Sequence, residues 1–287
     1  MSNFSKQKRI AAIHDISCVG RCSLTVALPI LSAAGIDTGV LPTAVLSTHT
    51  GGFTGFTFRD LTEDIDLISA HWQSLDLKFD AMYSGFLGSF EQIDLVAKLF
   101  NTFKTDNNLI MVDPVMADEG KLYSIYSPEM ARGMAKLCAK ADIIVPNLTE
   151  AAFILDEDYV PGPYTKEYIE AILRKLAALG PGKVVLTGVY FDDKELGAAA
   201  YDKKADTVDY AFADKIEGYF HGTGDVFGST LLSGLLNDFS LKDSTQIAVD
   251  YTQKCIVLTV EADQEKRYGV CFEKALPMLM KKLGLLE

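Results

Sequence analysis

The sequence is short of positive charge. Its 287 residues carry 27 Lys and Arg against 39 Asp and Glu, a formal net charge of −12. Nucleic acid is excluded as a partner on that ground, because phosphate contacts need clustered basic side chains. Small anionic ligands are not excluded, since backbone N–H groups and local cations can hold them against an acidic surface. No apolar run approaches the ~20 residues of a membrane span, and the opening MSNFSKQKRI lacks the apolar stretch of a secretory signal. The five cysteines are odd in number: Cys18 and Cys22 form a C-x3-C pair, and Cys138, Cys255 and Cys271 stand alone. That spacing suits neither a metal site nor a disulfide framework, so the expectation is a reduced, cytoplasmic protein. His14, His49, His71 and His221 fall into no H-E-x-x-H or similar pattern, and His71, in a helical stretch beside Trp72, reads as structural. There is no Walker loop, repeat, linker or low-complexity segment. One domain over residues 1–287 is the simplest organisation.

What is present is apolar and regular. Hydrophobic residues make up 48% of the chain, enough for a large core. Short β-rich runs end in polar or glycine-bearing loops: RIAAIH (9–14), VLPTAVL (40–46), FDAMYS (79–84), LIMVD (109–113), DIIVP (142–146) and KVVLT (183–187). Helical periods lie between them. SLTVALPILSAAG stops at Gly35, SFEQIDLVAKLF opens with a capping box of Ser89 and Gln92, SPEMARGMAKLC starts at Ser127 with Pro128, and TKEYIEAILRKLAALG stops at Gly180. Alternating β and α with near-continuous apolar strands predicts an α/β fold, a mostly parallel central sheet covered by helices on both faces. After Gly188 the pattern changes to two strands joined by DKKAD, a hairpin or antiparallel edge. Helices then begin near Gly224, Leu241 and Glu273.

Ligands of open parallel sheets sit beyond the carboxyl ends of the strands. The polar residues predicted there are His14 and Asp15; Thr48, His49 and Thr50; Ser84 and Gly85; Asp113; Asn147 and Glu150; and Thr187. HGTGDVFGS (His221–Ser229) joins them: a glycine-rich turn opening a helix is an anion site, because first-turn N–H groups lack partners. A dinucleotide fingerprint does not fit, since the spacing is G-x-G-x-x-x-G and a helix follows where that motif needs a strand. Each residue also has a structural alternative. Glycine C-cap and N-cap aspartate would explain GTGD, a turn would explain Asp113, and helix capping would explain Asn147 and Glu150. For Asp15, spacing alone does not decide.

HGTGDVFGSTLLSGLL, VDPVM, VPNLTEAAF and YSGFLGS, in order between about Ile10 and Leu236, resemble the ribokinase-like superfamily and within it the vitamin kinases. Pyridoxal (vitamin B6) kinases are nearest, with hydroxymethylpyrimidine kinases next. The resemblance implies a three-layer α/β/α fold and transfer of the γ-phosphoryl of ATP to a primary alcohol on a small heteroaromatic ring. It implies Mg²⁺, often a monovalent cation such as K⁺, and commonly a homodimer. It makes Asp225 the catalytic base and Gly222, Thr223 and Gly224 an anion hole. Asp113, Asn147, Glu150 and Thr187 fall on the nucleotide side, with Asp113 and Glu150 near Mg²⁺ through water. Asp15, Thr50, Gly51 and Ser84 fall on the acceptor side.

Two departures stand out. Asp15 occupies a position where many B6 kinases have serine, and as a carboxylate it accepts hydrogen bonds without donating any. Gly188 stands where B6 kinases often place a lysine near the phosphates, leaving Mg²⁺, a monovalent cation or Lys194 to supply the charge. A non-catalytic vitamin-binding protein of the same fold is the alternative from another class, and the intact GTGD argues against it. A sugar kinase is disfavoured because GGFTGFTFRD is too short for an inserted lid.

Overall fold

A computed structural model describes residues 7–287. In chain order it contains β1 (Arg9–Ser17), α1 (Leu24–Ala33), β2 (Asp37–Leu46), β3 (Phe58–Asp60), α2 (Thr62–Ser74), β4 (Ala81–Ser84), α3 (Phe90–Phe103) and β5 (Leu109–Val112). There follow β6 (Ala117–Asp118), β7 (Lys121–Leu122), α4 (Pro128–Cys138), β8 (Ile143–Ile144), α5 (Leu148–Leu155) and α6 (Lys166–Ala178). The chain ends with β9 (Lys183–Val189), β10 (Glu195–Asp202), β11 (Thr207–Asp214), α7 (Thr223–Leu236), α8 (Leu241–Glu261) and α9 (Leu276–Lys282).

One nine-stranded sheet orders these strands β11-β10-β9-β8-β5-β4-β1-β2-β3. From β9 to β2 every neighbouring pair is parallel, while β3 and the β10–β11 hairpin are antiparallel. The expected parallel sheet with an antiparallel edge is therefore present. Its central strands are buried on both faces, as βαβ crossovers require. Met82 of β4 packs into the core beneath α2–α6, while its neighbours Ala81 and Tyr83 pack into the core beneath α1, α7, α8 and α9. Those two cores and the sheet make the three α/β/α layers.

The helices form where the pattern placed them. α3 buries Ile93, Val96, Leu99, Phe100 and Phe103, one stripe of helical period. Ser127 and Thr165 cap α4 and α6 by accepting the N–H of Met130 and Tyr168. Three details differ from expectation. Ser89 accepts the N–H of Gln92 at 3.1 Å, but the Gln92 side chain does not return to Ser89; its Oε1 accepts the N–H of Gly88 at 2.8 Å instead. Its Nε2 reaches across to Thr43 O at 2.9 Å and Thr62 Oγ1 at 3.0 Å, so a tie between β2, α2 and α3 replaces the local box. The last helix begins as a 3₁₀ turn at Glu273–Ala275 and becomes α-helical from Leu276. The small strands β3, β6 and β7 were not legible as strands at all.

Gln92 is fully buried, and its loss would orphan the Gly88 N–H and leave the Thr43 carbonyl with the Leu61 N–H alone. Gln92→Ala is expected to cost about 1–3 kcal/mol, the cost of one buried group left unpaired. Urea unfolding checks this, and an unchanged midpoint would mean that the tie contributes nothing.

Candidate active site

The parallel strands all end on one edge of the sheet, and a cleft of about 550 Å³ opens along it. Its floor comes from Asp15 on β1, Asp113 after β5, Asn147 and Glu150 around the start of α5, and Thr187 on β9. Thr50 and Gly51 follow β2, and Gly222 through Asp225 close the far side. The sequence-predicted residues are thus brought together, with one correction. Ser84 is fully buried with its hydroxyl unpartnered, and does not line the cleft; Phe86 of the same segment does. The tight packing of β4 between β1 and β5 carries Ser84 below the floor. His14 is likewise sealed off, edge-on to Tyr83 with ring centroids 4.4 Å apart, and burial drops its pKa to about 3.

The HGTGD turn builds an anion site. Gly222 is the N-cap of α7 with φ 76°, and a Cβ there would sit 2.0 Å from the Arg21 carbonyl oxygen, so only glycine fits. The first backbone bond of the helix runs from Val226 N to Gly222 O at 3.1 Å. The N–H groups of Thr223, Gly224 and Asp225 therefore have no acceptor within the helix, and the positive end of its dipole adds to them. Asp225 is the third helical residue rather than an N-cap aspartate, and it is partly open to the cleft.

Four carboxylates meet here, and all are pushed toward their protonated forms. Burial raises Asp225 from 3.8 to about 7; the charge of Asp15 adds to this and the Ser23 N–H opposes it. Asp15 is raised by burial too, against hydroxyls of Ser23 and Ser17, the latter donating to Oδ2 at 3.1 Å. Asp113 is raised well above the usual range by burial, then by the charges of Glu150 and Asp225. Glu150 is raised to about 8 by burial, although it accepts Asn147 N at 2.8 Å and Met116 N at 3.1 Å. With Asn147 Oδ1 accepting Glu150 N at 2.8 Å, this is a complete capping box, so Asn147 and Glu150 cap α5 and line the cleft together.

The loop after β2 is tied down at His49. Gly51 N donates to its Nδ1 at 3.2 Å, so Nε2 carries the proton and donates to Arg267 O at 2.6 Å. The cleft also contains residues that the motif reading missed: Lys215 and Ile216 after β11, and Val249, Gln253 and Ile256 on α8. Their signal was directional. β10 runs antiparallel to β9 and β11 antiparallel to β10, so β11 points with β9 and its carboxyl end reaches the same edge. Lys194, named above as a source of charge, is not among the lining residues.

The sequence profile of the phosphomethylpyrimidine kinase family matches residues 32–269. A Bacteroides thetaiotaomicron protein, provisionally described as a phosphomethylpyrimidine kinase and crystallised with pyridoxal, is 39% identical with a TM-score of 0.91 over 96% of each chain. Pyridoxal kinase from Lactobacillus plantarum is 31% identical with a TM-score of 0.87, over 96% of this chain and 98% of that one. Pyridoxal kinase of Arabidopsis thaliana is 29% identical over 272 residues, 91% of this chain and 84% of its own.

A raised carboxyl binds its proton more tightly in the folded chain than in the unfolded one. For Asp225 the two states agree below pH 3.8, and stability is lost as pH rises from there through about 7. Asp225→Asn removes that loss. The ligand-free variant is expected to match wild type near pH 4 and to exceed it at pH 8 by on the order of 1–3 kcal/mol. Thermal unfolding at both pH values tests this, and equal stability at pH 8 would contradict the burial of that charge.

Proposed function

We propose that this chain, which belongs to the phosphomethylpyrimidine kinase family, is a vitamin B6 kinase. It phosphorylates the hydroxymethyl group of pyridoxal, pyridoxine or pyridoxamine with ATP, giving the 5′-phosphate and ADP. One observation carries the reading. A single partly exposed carboxylate, Asp225, stands within the first turn of α7, in the same cleft as the Thr50–Gly51 loop. The 39% identical relative that holds pyridoxal, and the two pyridoxal kinases, support the choice of vitamin.

The chemistry follows from the chain's own groups. A primary alcohol attacks poorly until a base takes its proton, and a base works best with a pKa near ambient pH. Asp225, raised to about 7, meets that requirement. As the oxygen–phosphorus bond to the hydroxymethyl group forms, the β–γ bridging bond of ATP breaks and the proton passes to Asp225. The N–H groups of Gly222, Thr223 and Gly224 stabilise charge on the moving phosphoryl group. Thr50 and Gly51 hold the acceptor ring, with Asp15 at its edge. Asn147 and Thr187 border the nucleotide.

Asp113 and Glu150 fit a hydrated divalent cation. Both are buried, both are raised, and neither faces a basic side chain in an ion pair among the described residues. These two carboxylates would hold a hydrated Mg²⁺ through its waters. Bound with ATP, Mg²⁺ neutralises charge on the transferring group. The full chain acting as one domain, supported by its single nine-stranded main sheet, a cytoplasmic location, supported by the unpaired cysteines, and the homodimer that the resemblance implies complete the proposal. Among the described residues no helix is long and apolar enough to cross a membrane.

Hydroxymethylpyrimidine is the second acceptor to weigh, because the matching family profile is named for a kinase of the phosphomethyl derivative of a pyrimidine. ADP release measured side by side with pyridoxal, pyridoxine, pyridoxamine and hydroxymethylpyrimidine separates the two. The B6 vitamers are expected to give the highest kcat/KM, and preference for hydroxymethylpyrimidine would reverse the assignment. In the same assay Asp225→Asn is expected to lose ~10²–10⁴ in kcat with ATP binding kept. More than half the wild-type kcat would remove Asp225 from the role of base. Asp113→Asn is expected to raise the Mg²⁺ concentration for half-maximal rate by ~10-fold or more with little change in the KM of the vitamin. An unchanged Mg²⁺ titration would return Asp113 to a structural role.

A further inference from the structure

The cleft is lined by six acidic side chains, Asp15, Asp113, Asp118, Glu150, Asp214 and Asp225, and by one basic side chain, Lys215. An ATP polyphosphate carries several negative charges into that wall. Backbone N–H groups and a metal ion offset part of the repulsion, and Lys215 is the one cationic side chain among the described lining residues. Its setting is distinctive. The backbone N–H is fixed to Lys194 O at 2.8 Å, and the ammonium lies 5.1 Å from the centre of the Tyr190 ring. Only 23% of its side chain is exposed. The nearest carboxylates, Asp193 at 3.7 Å and Glu217 at 3.9 Å, are beyond hydrogen-bond distance and 91% and 88% exposed. Solvent-screened contacts of that kind hold an ammonium weakly. The three N–H donors of Lys215 are therefore oriented, desolvated on one side by Tyr190, and free to be taken by a stronger acceptor.

The position along the sheet names that acceptor. Lys215 follows β11, whose carboxyl end shares the edge with Thr187 and Gly188 of β9, and the chain runs on from it to Gly222. Beyond it Ile216, Val249 and Ile256 offer an apolar wall suited to a purine base. We propose that Lys215 is the nucleotide-positioning cation of this enzyme, contacting the polyphosphate of ATP and ADP and supplying the charge absent at Gly188. The proposal rests on the kinase reading above. A lysine acts here as a mobile point charge, so arginine keeps the charge with a different reach.

The test is direct binding of ADP and of adenosine to wild type, Lys215→Met and Lys215→Arg, alongside KM values for ATP and pyridoxal. A charge-assisted bond predicts that Lys215→Met weakens ADP by about 10- to 100-fold. Adenosine should change by less than about twofold, and KM for ATP should rise while KM for pyridoxal holds. Lys215→Arg should recover most of the ADP affinity. Equal ADP affinity in Lys215→Met and wild type would overturn the proposal. So would an equal loss of adenosine and ADP, which would make Lys215 part of the base pocket's wall. Wild-type protein that binds neither nucleotide would overturn the kinase reading together with this one, an outcome distinct from either of the others.

Discussion

The rest of the site depends on a repulsion. Asp15, Asp113, Glu150 and Asp225 are gathered at one edge of a sheet, the first three buried and Asp225 partly open to the cleft. Bringing carboxylates from water into such a place costs several kcal/mol each unless they are protonated, hydrogen-bonded or paired with a cation. The fold uses different relief for each. Glu150 takes two backbone N–H groups in its capping box, Asp15 takes the Ser17 hydroxyl, and Asp225 stands in the first turn of α7 at the positive end of the helix. Asp113 has the least relief from the protein, and its carboxyl is pushed well up. That ordering is chemically sensible. The group least satisfied by the chain is the one that gains most from a cation arriving with substrate.

Rigid backbone makes the arrangement hold. Gly222 closes against the carbonyl of Arg21, and Gly269 approaches the same carbonyl, where an added Cβ would lie 2.6 Å away. The loop after β1 is thus clasped between the start of α7 and the segment at 269, while His49 ties the loop after β2 to Arg267. Acceptor-side and transfer-side elements therefore share their anchors. A pocket built in this way keeps Asp225 at a set distance from the Thr50–Gly51 loop, which is what the proposed role of Asp225 as base requires for proximity to count.

Asp15 shows how burial changes the logic of recognition. As an ionised carboxylate it would accept a hydrogen bond from a pyridinium N–H⁺ or an exocyclic amine, and would repel a neutral ring nitrogen. Burial raises its pKa, so its protonated form is more accessible than an exposed aspartate's. A protonated Asp15 donates, and a neutral pyridine nitrogen then becomes an acceptable partner. In the proposed site the charge of this one side chain would follow its ligand, leaving selection between vitamin rings to the shape of the surrounding wall, with Phe86 and Leu46 in it.

Most of the sheet, and the polar residues at its strand ends that line the cleft, were legible because each rests on local chemistry. Apolar runs ending in polar residues mark parallel strands, and Asn147 with Glu150 spells a capping box that the structure forms. Ser84 was misplaced because spacing puts a residue at a strand's end without saying how deeply that end is buried. Gln92 was half right: its helix start was readable, while its real partners, Thr43 and Thr62, lie 49 and 30 residues away. Lys215 was missed for a reason of parity. A hairpin at a sheet edge looks peripheral, yet two successive reversals return β11 to the direction of β9 and deliver its last residues to the ligand edge. Counting reversals needs only the order of strands, and the hairpin had already been recognised as antiparallel. The direction of β11 was therefore within reach of the sequence once β10 was taken to pair with β9, and what was lacking was the step from direction to function.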